Sequence, residues 1–244
     1  MRLNATRVRA IVRKELQDYR RNRSIVMTMA VMPVAFVALP IASIFSLPAA
    51  AASATLDRRI GLSLLYMLLI PTIVPAAIAA ASVAGEREQG TLEPVLTTPI
   101  QREEFLLAKG LAAFIPAVLI SYGAFAVFLV AVELFAHRTI ATAVFHNSAL
   151  PAQALFTPLL AAWSIWSGIA ISARSSDVRT AQQLSIFASL PPLGVVSLLS
   201  FNVIQPTLTL AVGLALPLLV IDLVGWRVAA VMFDRERLVT GTRS

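Results

Sequence analysis

The chain has no cysteine in its 244 residues. That excludes disulfides, iron–sulfur clusters and thiolate zinc sites. Charge is scarce too. Asp, Glu, Lys and Arg make up 14% of the chain, against about 25% in soluble domains. There is no G-x-x-x-x-G-K-S/T phosphate loop, so this chain does not bind ATP by that mechanism. No H-E-x-x-H is present, and no pair of acids is placed for catalysis. The two histidines, His137 and His146, are nine residues apart and lack metal-ligand spacing. No internal repeat or low-complexity linker occurs.

What is abundant is apolar sequence. Hydrophobic residues make up 58% of the chain, and the mean hydropathy is +0.80. Crossing a hydrocarbon core of roughly 30 Å takes about 20 apolar residues per helix. The length therefore fits about half a dozen spans, with no soluble domain beside them. The fold class expected is an all-α polytopic membrane protein. Residues 46–54 (SLPAAAASA) resemble a signal-peptide cleavage region. The apolar run before them, 25–47, exceeds the h-region of about 7–15 residues, which argues against cleavage. Arg20 and Arg21 read as a membrane-face anchor.

Residues 1–24 read as a basic amphipathic helix. Val8, Ile11, Val12, Leu16 and Tyr19 recur at helical spacing among Arg7, Arg9, Arg13, Lys14, Arg20, Arg21 and Arg23. Such a helix is expected in the interface, with its apolar face in lipid and its cations on anionic headgroups. Six spans are expected at about 25–47, 60–84, 111–134, 150–171 and two within 180–232, split near 202–206. Asp57, Arg58 and Arg59 mark a short loop. His137, Arg138, His146 and Asn147 lie in a longer one. Residues 234–244 form a polar tail.

With the N-terminus inside, seventeen of the twenty Lys and Arg residues fall on the inner side. Only Arg58, Arg59 and Arg138 fall outside. This asymmetry predicts that both termini are cytoplasmic. It also accounts for the net charge of +7 without nucleic acid as a partner. The chain is expected in the cell (inner or plasma) membrane.

One charged internal segment stands apart. Residues 85–109 read GEREQGTLEPVLTTPIQREEFLLAK. A connector needs only a few residues, so a polar segment of this length asks for a further role. Gly90 and Pro94 weaken a continuous helix, which predicts a break near Gly90-Thr91 and a short helix from Leu92. Thr98 is a candidate helix cap, with Pro99 at the first position and Gln101 completing a capping box. The resulting elbow would display Leu92, Val95 and Leu96 among Glu86, Glu88 and Glu93. That surface suits a groove on a partner.

The run Gly85-Glu86-Arg87-Glu88-Gln89-Gly90-Thr91-Leu92-Glu93, then Leu96, Thr98-Pro99, Arg102, Glu103 and Leu107-Ala108-Lys109, resembles the signature of ABC-2 type transporter permeases. The basic N-terminus and six-span hydropathy also resemble that family. Gln101 departs from it, since the family often has Ser or Thr there. The resemblance implies a permease that pairs with a second permease, identical or paralogous. It also implies two cytoplasmic ABC ATPase subunits, which would hold the ATP and Mg2+. The N-terminal helix would be the connecting helix. The elbow between spans 2 and 3 would be the coupling helix, with Glu86, Glu88, Gly90, Thr91, Leu92, Glu93 and Pro99 on its coupling surface. The expected function is then that of an exporter subunit moving an amphipathic or lipophilic cargo, such as a drug, lipid or hydrophobic peptide.

Rival readings are a secondary transporter or channel, a membrane enzyme, and a non-transporting scaffold or immunity protein. The first needs intramembrane ionisable groups, and Asp222 in the last span is the candidate. Asp222 is read either as a proton or substrate site, or as an inner-interface residue beside Trp226 that reaches water. Glu133 reads as an outer-interface residue. Pro71, Pro75, Pro191, Pro192 and Gly194 are candidates for kinks along a pathway. Ser167, Gly168, Ala170 and Ser172 are candidates for close helix packing.

Overall fold

A computed structural model describes residues 4–48, 53–88, 90, 101–175, 177–201, 204 and 207–232, without the side chains of Ser24, Arg102, Val231 and Met232. Its described residues form eight helices and no strand. In chain order they are α1 (Ala5–Arg21), α2 (Arg23–Phe45), α3 (Ser53–Glu88), α4 (Arg102–Phe135), α5 (Arg138–Phe145), α6 (Ala149–Arg174), α7 (Val178–Ser200) and α8 (Leu208–Met232). Six of them, α2–α4 and α6–α8, are long and apolar enough to cross a membrane. The protein is an all-α, multi-pass membrane protein.

The helices divide by burial. α3 and α6 form the interior. Their faces are rich in small residues, which lets the backbones approach closely. A Cβ added at Gly168 would lie 2.9 Å from the Ala79 Cβ and 3.3 Å from the Ala76 carbonyl oxygen. The Ser172 hydroxyl accepts hydrogen bonds from the Val83 and Ala84 amides at 3.2 and 2.9 Å, and donates to the Ala80 carbonyl. α2, α4, α7 and α8 wrap this pair and expose large apolar side chains, among them Met27, Val34, Leu119, Phe187 and Leu223. A helix apolar all round suits lipid, and α2 is of this kind.

Four sequence expectations change. The apolar face of α1 packs on protein rather than lipid: Val8, Glu15 and Tyr19 are buried, and α4 and α2 cover them. Asp57, Arg58 and Arg59 lie in the first turns of α3, not in a loop. Arg59 donates to the Ser43 hydroxyl at 3.0 Å, which ties that end of α3 to α2. The loop holding His137 and His146 contains the short helix α5, because Ile140, Ala141 and Val144 share a face buried on the core. Finally, Gln101 is not inside a helix capped by Thr98. It is itself the extended residue before α4, and its amide donates to Glu104 Oε2 at 3.3 Å. A carboxylate three residues into the helix meets an amide that no helical carbonyl can reach.

Helices α3 and α4 have 36 and 34 residues. At 1.5 Å per residue each is about 50 Å long, well beyond the roughly 30 Å core. The overhanging ends carry the charges of interest. Chain reversal brings the end of α3, the start of α4 and the α6–α7 turn to the same end of the bundle as α1.

Candidate functional site

Three helices meet at one ammonium group. Lys109, in the second turn of α4, is 1% exposed. Its Nζ donates to Glu86 Oε1 of α3 at 2.9 Å, to the Ser82 carbonyl of α3 at 3.0 Å and to Glu15 Oε1 of α1 at 3.2 Å. An ammonium has three donors, and all three find acceptors. The Phe105 ring lies 5.0 Å away, a cation–π contact. Two carboxylates around one buried cation leave an excess of negative charge. Lys14 offsets it from the exposed side, 3.4 Å from Glu15 and 3.7 Å from Glu86, while also pairing with Asp18 at 3.1 Å. Burial pulls the Lys14 pKa down, but Glu15, Asp18 and Glu86 outweigh it and hold the pKa above the ordinary value. The Tyr19 hydroxyl is buried beside these acids without a hydrogen-bond partner among the described residues. Burial first, then the Glu15 and Glu86 charges, raises its pKa.

A second tie lies one turn earlier on α4. Glu104 Oε1 accepts the Asn4 amide at 2.8 Å, and its Oε2 lies 3.6 Å from the Arg7 guanidinium. So α1 is fastened to α4 at both its start and its middle. The third tie runs from the end of α3. Arg87 donates to the Ser175 and Ala173 carbonyls at 2.7 and 3.1 Å, reaching orphan acceptors at the C-terminus of α6. Glu88 Oε1 accepts the Val178 amide at 2.9 Å, at the N-terminus of α7 where negative charge is favoured. Three consecutive residues, Glu86, Arg87 and Glu88, thus fix α3 to α1, α4, α6 and α7.

Of the residues read from sequence as a coupling surface, Glu86 is half-buried in this hub and Glu88 is exposed. Gly90 has φ 66°, the left-handed conformation that favours glycine, and its amide donates to the Arg87 carbonyl. The expected break in the helix is therefore present there. Thr91, Leu92, Glu93 and Pro99 lie outside the described residues. Sequence reasoning missed the pairing of Lys109 with Glu15. The signal was present: Glu15 falls three residues after Val12 and four before Tyr19, on the apolar face of α1. Lys109 occupies the equivalent place on α4, between Phe105 and Ala112.

The hub therefore sits where the 85–109 segment joins the spans. The family model for ABC-2 family transporter proteins matches residues 9–224. The chain belongs to the ABC-2 transporter family. No curated protein matches it. As an ABC-2 permease it is the membrane subunit of an ABC transporter and not its ATPase, and the family partners with ABC ATPase subunits. The match covers Glu15, Glu86 and Lys109 alike.

A different polar site lies deeper in this permease. Asp222 of α8 is buried, and its Oδ1 accepts the Trp166 indole N–H of α6 at 3.0 Å. A Cβ added at Gly225, one turn on, would lie 2.5 Å from the Trp166 ring. One at Gly110 would lie 2.8 Å from Trp226. The glycines let α8 seat its face on α6 and α4. Asp222 thus lies buried between α8 and α6.

Proposed function

We propose that this permease is the membrane half of an ATP-driven exporter, and that its ion-paired hub passes ATPase movement to the spans. The observation carrying this reading is Lys109, whose three donors join α1, α3 and α4 where the polar segment leaves the bundle. A push on residues 91–100 arrives at Glu86 through one end of the segment and at Lys109 through the other. Rigid, fully paired contacts move together instead of absorbing that displacement. The charge asymmetry supports a cytoplasmic position for the hub and both termini. There it would meet two ATPase subunits carrying ATP and Mg2+, with a second permease completing the pathway. Thr91, Leu92, Glu93 and Pro99 would provide the docking surface beyond Glu86, Glu88 and Gly90. The apolar spans fit an amphipathic or lipophilic cargo.

The test uses the permease co-expressed with candidate ATPases. An ATPase should copurify with the wild type, and the Leu92→Ala/Glu93→Ala variant should hydrolyse ATP without transport. Normal transport per ATP in that variant would reject the docking surface. The lack of cysteine makes topology direct to read. A Glu88→Cys variant should react with an impermeant maleimide only from the cytoplasmic side. Labelling from outside would overturn the orientation.

A further inference from the structure

Every buried charge in the hub is answered by another. Asp222 is not. It lies ten residues before the end of the 25-residue α8, about 15 Å along the helix, which places it within the span. It is 6% exposed, and among the described residues its Oδ2 has no hydrogen-bond partner. Among the described residues no basic side chain pairs with it. Arg227, five positions on, lies about 140° round the helix and is exposed. A carboxylate held this way in the membrane is costly and marks a substrate or ion pathway by default.

The surroundings are aromatic. All three tryptophans of the chain gather near this point. Trp166 holds Oδ1. Trp163 stacks edge-on against Trp166 with ring centroids 5.0 Å apart. Trp226 follows Asp222 by about one turn. All three indoles are partly exposed, and so are the neighbouring apolar side chains Ile221 and Leu223. The cluster is therefore open to molecules already dissolved in lipid. Indole faces attract cations, and the unanswered carboxyl oxygen offers a partner for one.

From this geometry we infer that Asp222, with the Trp163–Trp166 pair, forms an intramembrane recognition site for an organic cation. The cargo class is a lipophilic molecule carrying a delocalised or quaternary positive charge. Trp166 is a positioning residue: its N–H fixes one carboxylate oxygen and leaves the other for the ligand. The inference deepens the exporter reading by naming the charge of the cargo, and it rests on that reading for the claim that the bound cation is transported. The site also has a short route to the hub, since Trp226 packs on Gly110, the neighbour of Lys109.

Binding can be tested without ATP or the ATPase, which separates this inference from the exporter reading. The probe is tetraphenylphosphonium, titrated into the full-length permease in lipid nanodiscs and followed by tryptophan fluorescence and equilibrium dialysis. Triphenylphosphine oxide is the uncharged comparison. The wild type should bind the cation saturably, and Asp222→Asn should weaken it about tenfold or more. The neutral probe should bind both proteins alike. Asp222→Glu, which keeps the charge, should retain most of the affinity and guards against misfolding of the amide variant. Equal cation affinity in wild type and Asp222→Asn would overturn the inference, as would the same loss for the neutral probe. Absent ATPase coupling with intact Asp222-dependent binding would sink the exporter reading and leave the site standing.

Discussion

The protein buries charge in two places and treats it in opposite ways. At Lys109 a cation has three acceptors, two carboxylates and a compensating Lys14 at the rim. At Asp222 a carboxyl has one indole N–H and, among the described residues, an oxygen with nothing to accept. Complete pairing makes a rigid joint, because breaking any part strands the rest in a poor solvent. Incomplete pairing makes a site, because the missing partner can come from outside. The contrast divides the molecule into a part that transmits and a part that receives.

Breaking the joint should give the largest effect. Lys109→Met leaves Glu15 and Glu86 facing each other without their cation. Removal of one partner from a buried pair costs about 3–5 kcal/mol, so the melting midpoint in detergent should fall sharply. The triple variant Glu15→Gln/Glu86→Gln/Lys109→Met removes all three charges and should recover most of that loss. Failure to recover would mean that the charges matter one by one, not as a unit.

Alkali should act next, at the hub. Lys14 and Tyr19 both have pKa values raised above their ordinary 10.5 and 10.0. A raised folded pKa gives stability that is present below the unfolded pKa and lost as pH rises through the folded one. The melting midpoint should therefore hold below about pH 10 and decline above it, with the Lys14→Met/Tyr19→Phe variant declining less.

Asp222→Asn should cost no stability, and the melting midpoint should hold or rise. The amide oxygen can still accept the Trp166 N–H, and the charge it removes was unanswered. A loss as large as that of Lys109→Met would erase the contrast between the two sites. The smallest effect belongs to Tyr19→Phe. Its buried hydroxyl has no partner among the described residues, so removing it should leave the midpoint unchanged or slightly higher at neutral pH.

Much of this was legible in the sequence. Apolar run lengths gave six spans, because bilayer thickness leaves little freedom. The α7–α8 division near 202–206 and the break at Gly90 also followed from local chemistry. The length of α3 was not legible, because charged residues at its start such as Arg58 read as loop while remaining good helix formers. The role of α1 was misread for a related reason. An apolar stripe looks the same whether lipid or α4 covers it, and Glu15 within that stripe was the clue to protein. Asp222 was visible as an oddity, but its contact with Trp166 spans 56 residues and only the fold brings them together.

Transport per ATP hydrolysed measures directly whether the hub transmits. It is read in proteoliposomes of the permease–ATPase complex carrying the charge-free triple variant, after a melting curve confirms that it is folded. ATP hydrolysis should continue, with transport reduced to a small fraction of the wild-type ratio. A wild-type ratio in that folded variant would contradict transmission through the hub.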